Sequence, residues 1–139
     1  MLWDDCLEDL RDLSQPVRNA KLVHLSNLSD IGSRAFMDRW GLLPTERRRR
    51  VIAMLIELGE DNVDFDFTPI FRWCLSDISA EVREQAIYGL WECDERWFVS
   101  PLIDLLLRDD EDNVKAAAAA ALGRFAVLAE HGKVLSRDR

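Results

Sequence analysis

Part of this chain repeats itself at a fixed spacing, and that limits its fold more than any other feature of the sequence. Thr68-Pro69-Ile70-Phe71 opens one copy and Ser100-Pro101-Leu102-Ile103 opens the next, so Pro101 follows Pro69 by 32 residues. The register runs without a gap into a following segment. There Val82, Arg83, Ala86 and Leu90 correspond to Val114, Lys115, Ala118 and Leu122. Self-similarity at a period of roughly 20–50 residues marks stacked units, none of which can bury its apolar face alone.

Each copy reads in the same physical order. A Ser or Thr before Pro marks a helix start, because the hydroxyl accepts from an orphan N–H group and Pro has no N–H to lose. An apolar helix follows, then a turn at Ser76-Asp77 or Arg108-Asp109. Ser79 or Asp112 is predicted to cap a second helix. On that helix Val82, Ala86, Leu90 and Cys93 form one stripe, as do Val114, Ala118 and Leu122.

A third, diverged unit precedes these two. Ser33 to Trp40 is its first helix, with Ser29 or Ser33 as the cap. Arg47 to Gly59, carrying Val51, Ile52, Leu55, Ile56 and Leu58, is its second, beginning just after Pro44-Thr45-Glu46. Ahead of that unit, Leu2 to Leu13 reads as a helix ended by Ser14-Gln15-Pro16, and Val17 to Leu25 as a short helix. A terminal unit that shields a stack from water is expected to diverge in this way. The chain is therefore predicted to be a single all-α domain, an α-α superhelix of antiparallel helix pairs. Residues 1–28 form a non-repeating helical cap, 29–60 the diverged repeat, 65–93 and 97–128 the clear repeats, and 129–139 a tail or the start of a further unit.

Composition agrees. Hydrophobic residues make up 48% of the 139, enough for a packed core, and six Gly with four Pro favour long elements over a turn-rich β fold. Acids outnumber bases 26 to 18, a net charge of −8, so most of the surface repels phosphate backbones and a nucleic-acid partner is not expected. The opening Met1-Leu2-Trp3-Asp4-Asp5 lacks the basic flank and apolar run of a secretion signal. No apolar stretch approaches the roughly 18 residues of a membrane span. Cys6, Cys74 and Cys93 are odd in number and scattered, which fits reduced thiols. A cytoplasmic location without membrane contact is the expectation.

With Asp77, Val82-Arg83, Ala86 and Leu90 in one unit, and Asp109, Val114, Ala118 and Leu122-Gly123 in the next, the sequence resembles the short HEAT-like repeat. This is the variant also labelled phycobilisome-lyase-type. Its pattern is an aspartate turn, then Val-Arg, then alanines and Leu-Gly. The generic HEAT period is about 40–47 residues, so the shorter spacing points to that variant. The resemblance covers Leu42 to about Leu128 and departs at Lys115, where Arg is usual, and at Trp91, where Gly is usual. The middle of the chain also resembles bacterial HEAT-repeat proteins of uncharacterised role. The resemblance implies a HEAT-like solenoid whose second helices line a concave face. It carries over no catalytic residue, because the matching positions serve packing and turns.

Several residue groups invite a functional reading. Arg47-Arg48-Arg49-Arg50 encircles its helix, since successive residues turn by about 100°. Arg47 and Arg48 fall on the buried side, where their stems would cover apolar surface and their heads meet acids of an adjacent turn. Asp77, Arg83, Asp109 and Lys115 recur at matching places and predict a ladder of charge-assisted hydrogen bonds between repeats. The acidic segments 60–64 and 109–113 lack the Gly and Glu of a calcium-binding EF-hand loop and are better suited to capping helices. Ala116 to Ala121 predicts close helix packing.

Glu84, Tyr88 and Trp91 lie away from the apolar stripe of their helix, and their counterparts one repeat later are Ala116, Ala120 and Gly123. With Arg83 they make the candidate partner-binding surface, because Trp and Tyr dominate interface hot spots. His24 and His131 are isolated, the glycines form no phosphate loop, and Cys74 and Cys93 occupy core positions. No catalytic residue, cofactor or metal is expected. The leading expectation is a non-catalytic protein-interaction scaffold. A bilin- or small-ligand-handling role is the alternative, implied by the family label alone. The apolar pattern of Val127, Leu128, Val134 and Leu135 adds self-association through the C-terminal repeat face.

Overall fold

The computed structural model describes residues 2–136, with side chains through His131. Val134 and Leu135 fall outside the described side chains. Eight α-helices and two short 3-10 turns account for the secondary structure, with no strand among the described residues. They are α1 (Leu2–Arg11), α2 (Asn19–Leu22), α3 (Asp30–Trp40), α4 (Thr45–Asp61), α5 (Thr68–Cys74), α6 (Ala80–Gly89), α7 (Val99–Arg108) and α8 (Asp112–Ser136). The fold is an all-α solenoid of neighbouring helix pairs. α5 packs on α6 and α7 on α8, while α4, α6 and α8 lie side by side as one layer. No helix among the described residues is long and apolar enough to cross a membrane.

The stripes identified in the sequence are buried through Val82, Ala86 and Leu90 and through Val114 and Ala118, while their last members, Cys93 and Leu122, are half-buried. Val82, Ala86 and Ile87 of α6 and Val114 and Ala118 of α8 are fully enclosed. Within the alanine run, Ala117, Ala118 and Ala121 are buried while Ala116, Ala119 and Ala120 face outward. Burying a side chain such as Leu102 or Val82 contributes on the order of 2 kcal/mol, so each stripe holds its pair against the next. Phe36 stacks on Trp40 with ring centroids 5.0 Å apart, anchoring α3 in the core.

The helix starts fall where the Pro and hydroxyl signals place them, but the capping atoms differ. The Ser29 hydroxyl accepts from Gly32 N–H and the Ser79 hydroxyl from Val82 N–H. Thr68 does not cap α5. It is the first helical residue, and its own N–H donates to the Asp66 carboxylate, which is reached two residues back in an Asx turn. Ser100 does not cap α7 either, because a 3-10 turn at Arg96–Phe98 runs directly into the helix and leaves Ser100 inside the first turn. Asp112 is likewise the first residue of α8, and it is Asp109 whose carboxylate accepts the Glu111 N–H.

α6 also ends earlier than its apolar stripe. The stripe in the sequence continues to Cys93, but the helix stops at Gly89, so Leu90, Trp91 and Cys93 lie on the turn that follows. Close contact accounts for a glycine here: a Cβ on Gly89 would come within 2.7 Å of the Phe71 ring. That lack of a side chain lets α6 press against α5 where the chain turns away.

Candidate functional site

Two arrangements combine the sequence-derived candidates with residues that the sequence did not single out. The first lies at the turns between repeats. Arg48 Nε sits 3.2 Å from Asp77 Oδ1, and both side chains are only 4% exposed. Trp40 Nε1 donates to the same oxygen at 2.8 Å, and Ser79 N–H donates to Asp77 Oδ2 at 2.9 Å. Arg48 also donates to the Leu43 carbonyl and to Thr45 Oγ1. Its Nε makes no well-aligned hydrogen bond, so the attraction to Asp77 at that atom is Coulombic.

One repeat on, Arg83 grips Asp109 in a bidentate fork, Nε to Oδ2 at 2.8 Å and Nη2 to Oδ1 at 3.1 Å. Its Nη1 donates to the Asp77 and Ile78 carbonyls. A single guanidinium thus joins the turn before α6 to the turn before α8. Burial by itself would raise the Asp109 pKa. The hydrogen bonds from Arg83 and Glu111 N–H and the charge of Arg83, with Lys115 adding to it, outweigh that and hold the carboxyl below its ordinary value. Lys115 is half-buried and makes no ion pair among the described residues.

The remaining members of the arginine run separate. Arg47 forms no ion pair among the described residues: it donates to the carbonyls of Asp12 and Gln15 in the turn after α1. Hydrogen bonds from Ser14 hold the Asp12 carboxyl of that turn below its ordinary value, and the charge of Arg47 adds to the effect. Arg49 pairs with Glu46 and, at 2.7 Å, with Glu81 of α6.

The second arrangement is a groove of about 560 Å³ at the end of α4 and α6. Tyr88 and Trp91 form one side, their ring centroids 6.2 Å apart at 54°. Tyr88 is 44% exposed and Trp91 half-buried. The opposite side comes from the loop between α4 and α5, where Val63, Phe65 and Phe67 line the space. Phe67 meets Phe71 edge-on at 6.5 Å, so the wall rests on the core. The turn bearing Trp91 is fastened from behind: Arg124 of α8 donates to the Trp91 carbonyl and, at 2.8 Å, to the Glu92 carboxylate.

The groove therefore includes Tyr88 and Trp91, whereas Arg83 is directed into the turns and Glu84, half-buried on α6, is not part of the lining. The loop wall was missed because Val63, Phe65 and Phe67 lie between helices. A sequence signal did exist in the alternation Val63-Asp64-Phe65-Asp66-Phe67, which has two-residue spacing amid helical periodicity.

The thiols do not point to chemistry. Burial and then the nearby Asp9 push Cys6 up to about 12, and burial with Asp77 raises Cys74 further above its ordinary value. Cys93, in its turn, is also raised, chiefly by burial. Protonated thiols are poor nucleophiles and poor metal ligands. No group of three or more His, Cys, Asp or Glu among the described residues is arranged to hold a metal ion.

No curated protein matches this chain. Residues 68–134, which take in α5, α6, α7 and most of α8, match the family model described as HEAT repeats, and together with the stacked pairs this supports a HEAT-repeat protein.

Proposed function

We propose that this protein is a non-catalytic scaffold that holds a partner protein at the layer formed by α4, α6 and α8, with Tyr88 and Trp91 as the anchoring residues. The observation that carries this reading is the groove itself. Tyr88 and Trp91 line it together with apolar Leu55, Ile56, Val63 and Phe65, and partly exposed Trp and Tyr in such a setting dominate binding energy at interfaces. HEAT repeats commonly serve protein interaction, which agrees. Arg83, Glu84, Tyr88 and Trp91 remain the surface we assign to binding, with Arg83 acting through the turns it fixes. Asp77, Arg83 and Asp109 form the structural ladder in this reading, and Lys115 adds its charge beside Asp109 without a bond of its own.

We assign the repeats to the short phycobilisome-lyase-type variant on their 32-residue spacing. A cytoplasmic setting fits the free thiols, and a bacterial origin rests on the resemblance to bacterial HEAT-repeat proteins alone. The test of the scaffold is affinity capture from the source cells with the wild-type chain and with Trp91→Ala. A partner retained by the former and lost from the latter is expected. A partner held equally by both moves the site elsewhere.

A small-ligand role is the second reading, and one observation favours it: the groove volume falls within the ~300–1,000 Å³ range of ligand sites. Titration with a bilin that leaves its absorption spectrum unchanged removes that reading. Self-association through the C-terminal repeat face rests on exposed Ile103, Leu107 and Val127. Sedimentation that shows the same monomer mass at every concentration removes it.

A further inference from the structure

We infer that the groove beside Trp91 takes a cationic segment of the partner, one that presents arginine or lysine together with apolar residues. This rests on the scaffold reading and narrows it to a class of partner. The ionisable side chains lining the groove, apart from the Tyr88 phenol, are Glu60, Asp66 and Glu92, and no Lys, Arg or His is among them. Glu92 is already balanced by Arg124. Glu60 and Asp66 form no ion pair among the described residues, although Asp66 spends one carboxylate oxygen on the Thr68 N–H. Glu60 and the remaining oxygen of Asp66 thus flank a space whose other walls are largely aromatic and aliphatic.

That combination fits a cation better than any other occupant. A guanidinium or ammonium gains from the face of Trp91 or Tyr88 and from the carboxylates together, while its alkyl stem covers the apolar floor. An acidic segment would meet like charge, and a purely apolar one would bury the carboxylates unanswered. The molecule already uses the same chemistry elsewhere, with the Arg72 guanidinium 4.4 Å above the Trp97 ring. The net charge of −8 favours approach of a basic segment from a distance.

The test uses the full chain and two fluorescein-labelled decapeptides, one alternating arginine with leucine and one alternating glutamate with leucine, followed by anisotropy. The arginine peptide is expected to bind at least about tenfold more tightly than the glutamate peptide. Its affinity is expected to fall as salt rises from about 50 to about 500 mM. Glu60→Gln is expected to weaken it about three- to tenfold, while Asp38→Asn, an exposed acid on α3, leaves it unchanged. Equal loss in Glu60→Gln and Asp38→Asn overturns the inference, since binding would then follow net charge alone. Equal binding of both peptides that vanishes in Trp91→Ala also overturns it, but leaves the groove as a protein site. Failure of both peptides to bind, with partner capture unaffected by Trp91→Ala, overturns the inference and the scaffold site together.

Discussion

The two clear repeats follow the same order of residues, yet they bury different amounts of it. α5 encloses Ile70, Phe71 and Cys74, whereas α7 fully buries Leu102 alone and leaves Ile103 and Leu107 exposed. α6 lies between α4 and α8, while α8 packs on α6 and α7. The periodic pattern therefore decides which faces are apolar, and the neighbours decide which of those faces are covered. The turns differ in the same way. Asp77 is enclosed by Arg48, Trp40 and the Ser79 N–H, whereas Asp109 relies on Arg83 and a single backbone N–H.

If that difference is energetic, Asp77→Ala should be the more damaging change. It strands the Arg48 charge at a site where the side chain is 4% exposed, and it orphans the Trp40 N–H. Breaking a buried pair from one side costs about 3–5 kcal/mol, a large share of the stability of a domain this size. The urea midpoint is the measurement. A loss of less than about 1 kcal/mol would mean that the buried junction is no stronger than a surface ion pair.

Asp109→Ala should cost less, about 1.5–3 kcal/mol, the range for hydrogen bonds to charged groups. Its pH dependence identifies the cause. The folded-state pKa lies below the ordinary 3.8, so the carboxylate contributes its stability above that value and loses it as the pH falls toward the lower folded value. The gap between wild type and Asp109→Ala should therefore stay constant from about pH 7 to about pH 5 and narrow below 3.8. A gap of the same size at about pH 3 would assign the loss to packing and not to the Arg83 fork.

Much of this was legible in the sequence. The helix pairs, the buried stripes and the aspartate positions follow from a 32-residue register, because packing faces and turns obey local periodicity. Trp40 as a donor to Asp77 did not follow from it, since the two are 37 residues apart and lie in units whose registers do not match. The end of α6 was also hidden. Leu90 and Cys93 continue a helical stripe beyond Gly89, where the helix stops, and the close approach of Phe71 that requires a glycine at that position is a tertiary contact. Half of the groove was legible, in Tyr88 and Trp91. The other half depends on where an interhelical loop folds back: the two-residue alternation of Val63, Phe65 and Phe67 marks its apolar side but not its position against α6.

The smallest expected effect tests whether the groove belongs to a residue or to its surroundings. Ala120 stands one repeat after Tyr88 and faces outward on α8. Ala120→Tyr should change stability by no more than about 0.5 kcal/mol, because an exposed helical site has room for the ring. It should also create no second groove. The loop wall opposite Tyr88 is built from Val63, Phe65 and Phe67, whereas Trp97 in the following loop is occupied by Arg72. Binding of the arginine peptide to the chain carrying Ala120→Tyr should therefore match wild type, while Tyr88→Ala weakens it. A second binding event in Ala120→Tyr would mean that one aromatic on an inner helix suffices. A large loss of stability would mean that the outward face of α8 is covered in solution, as self-association at that end requires.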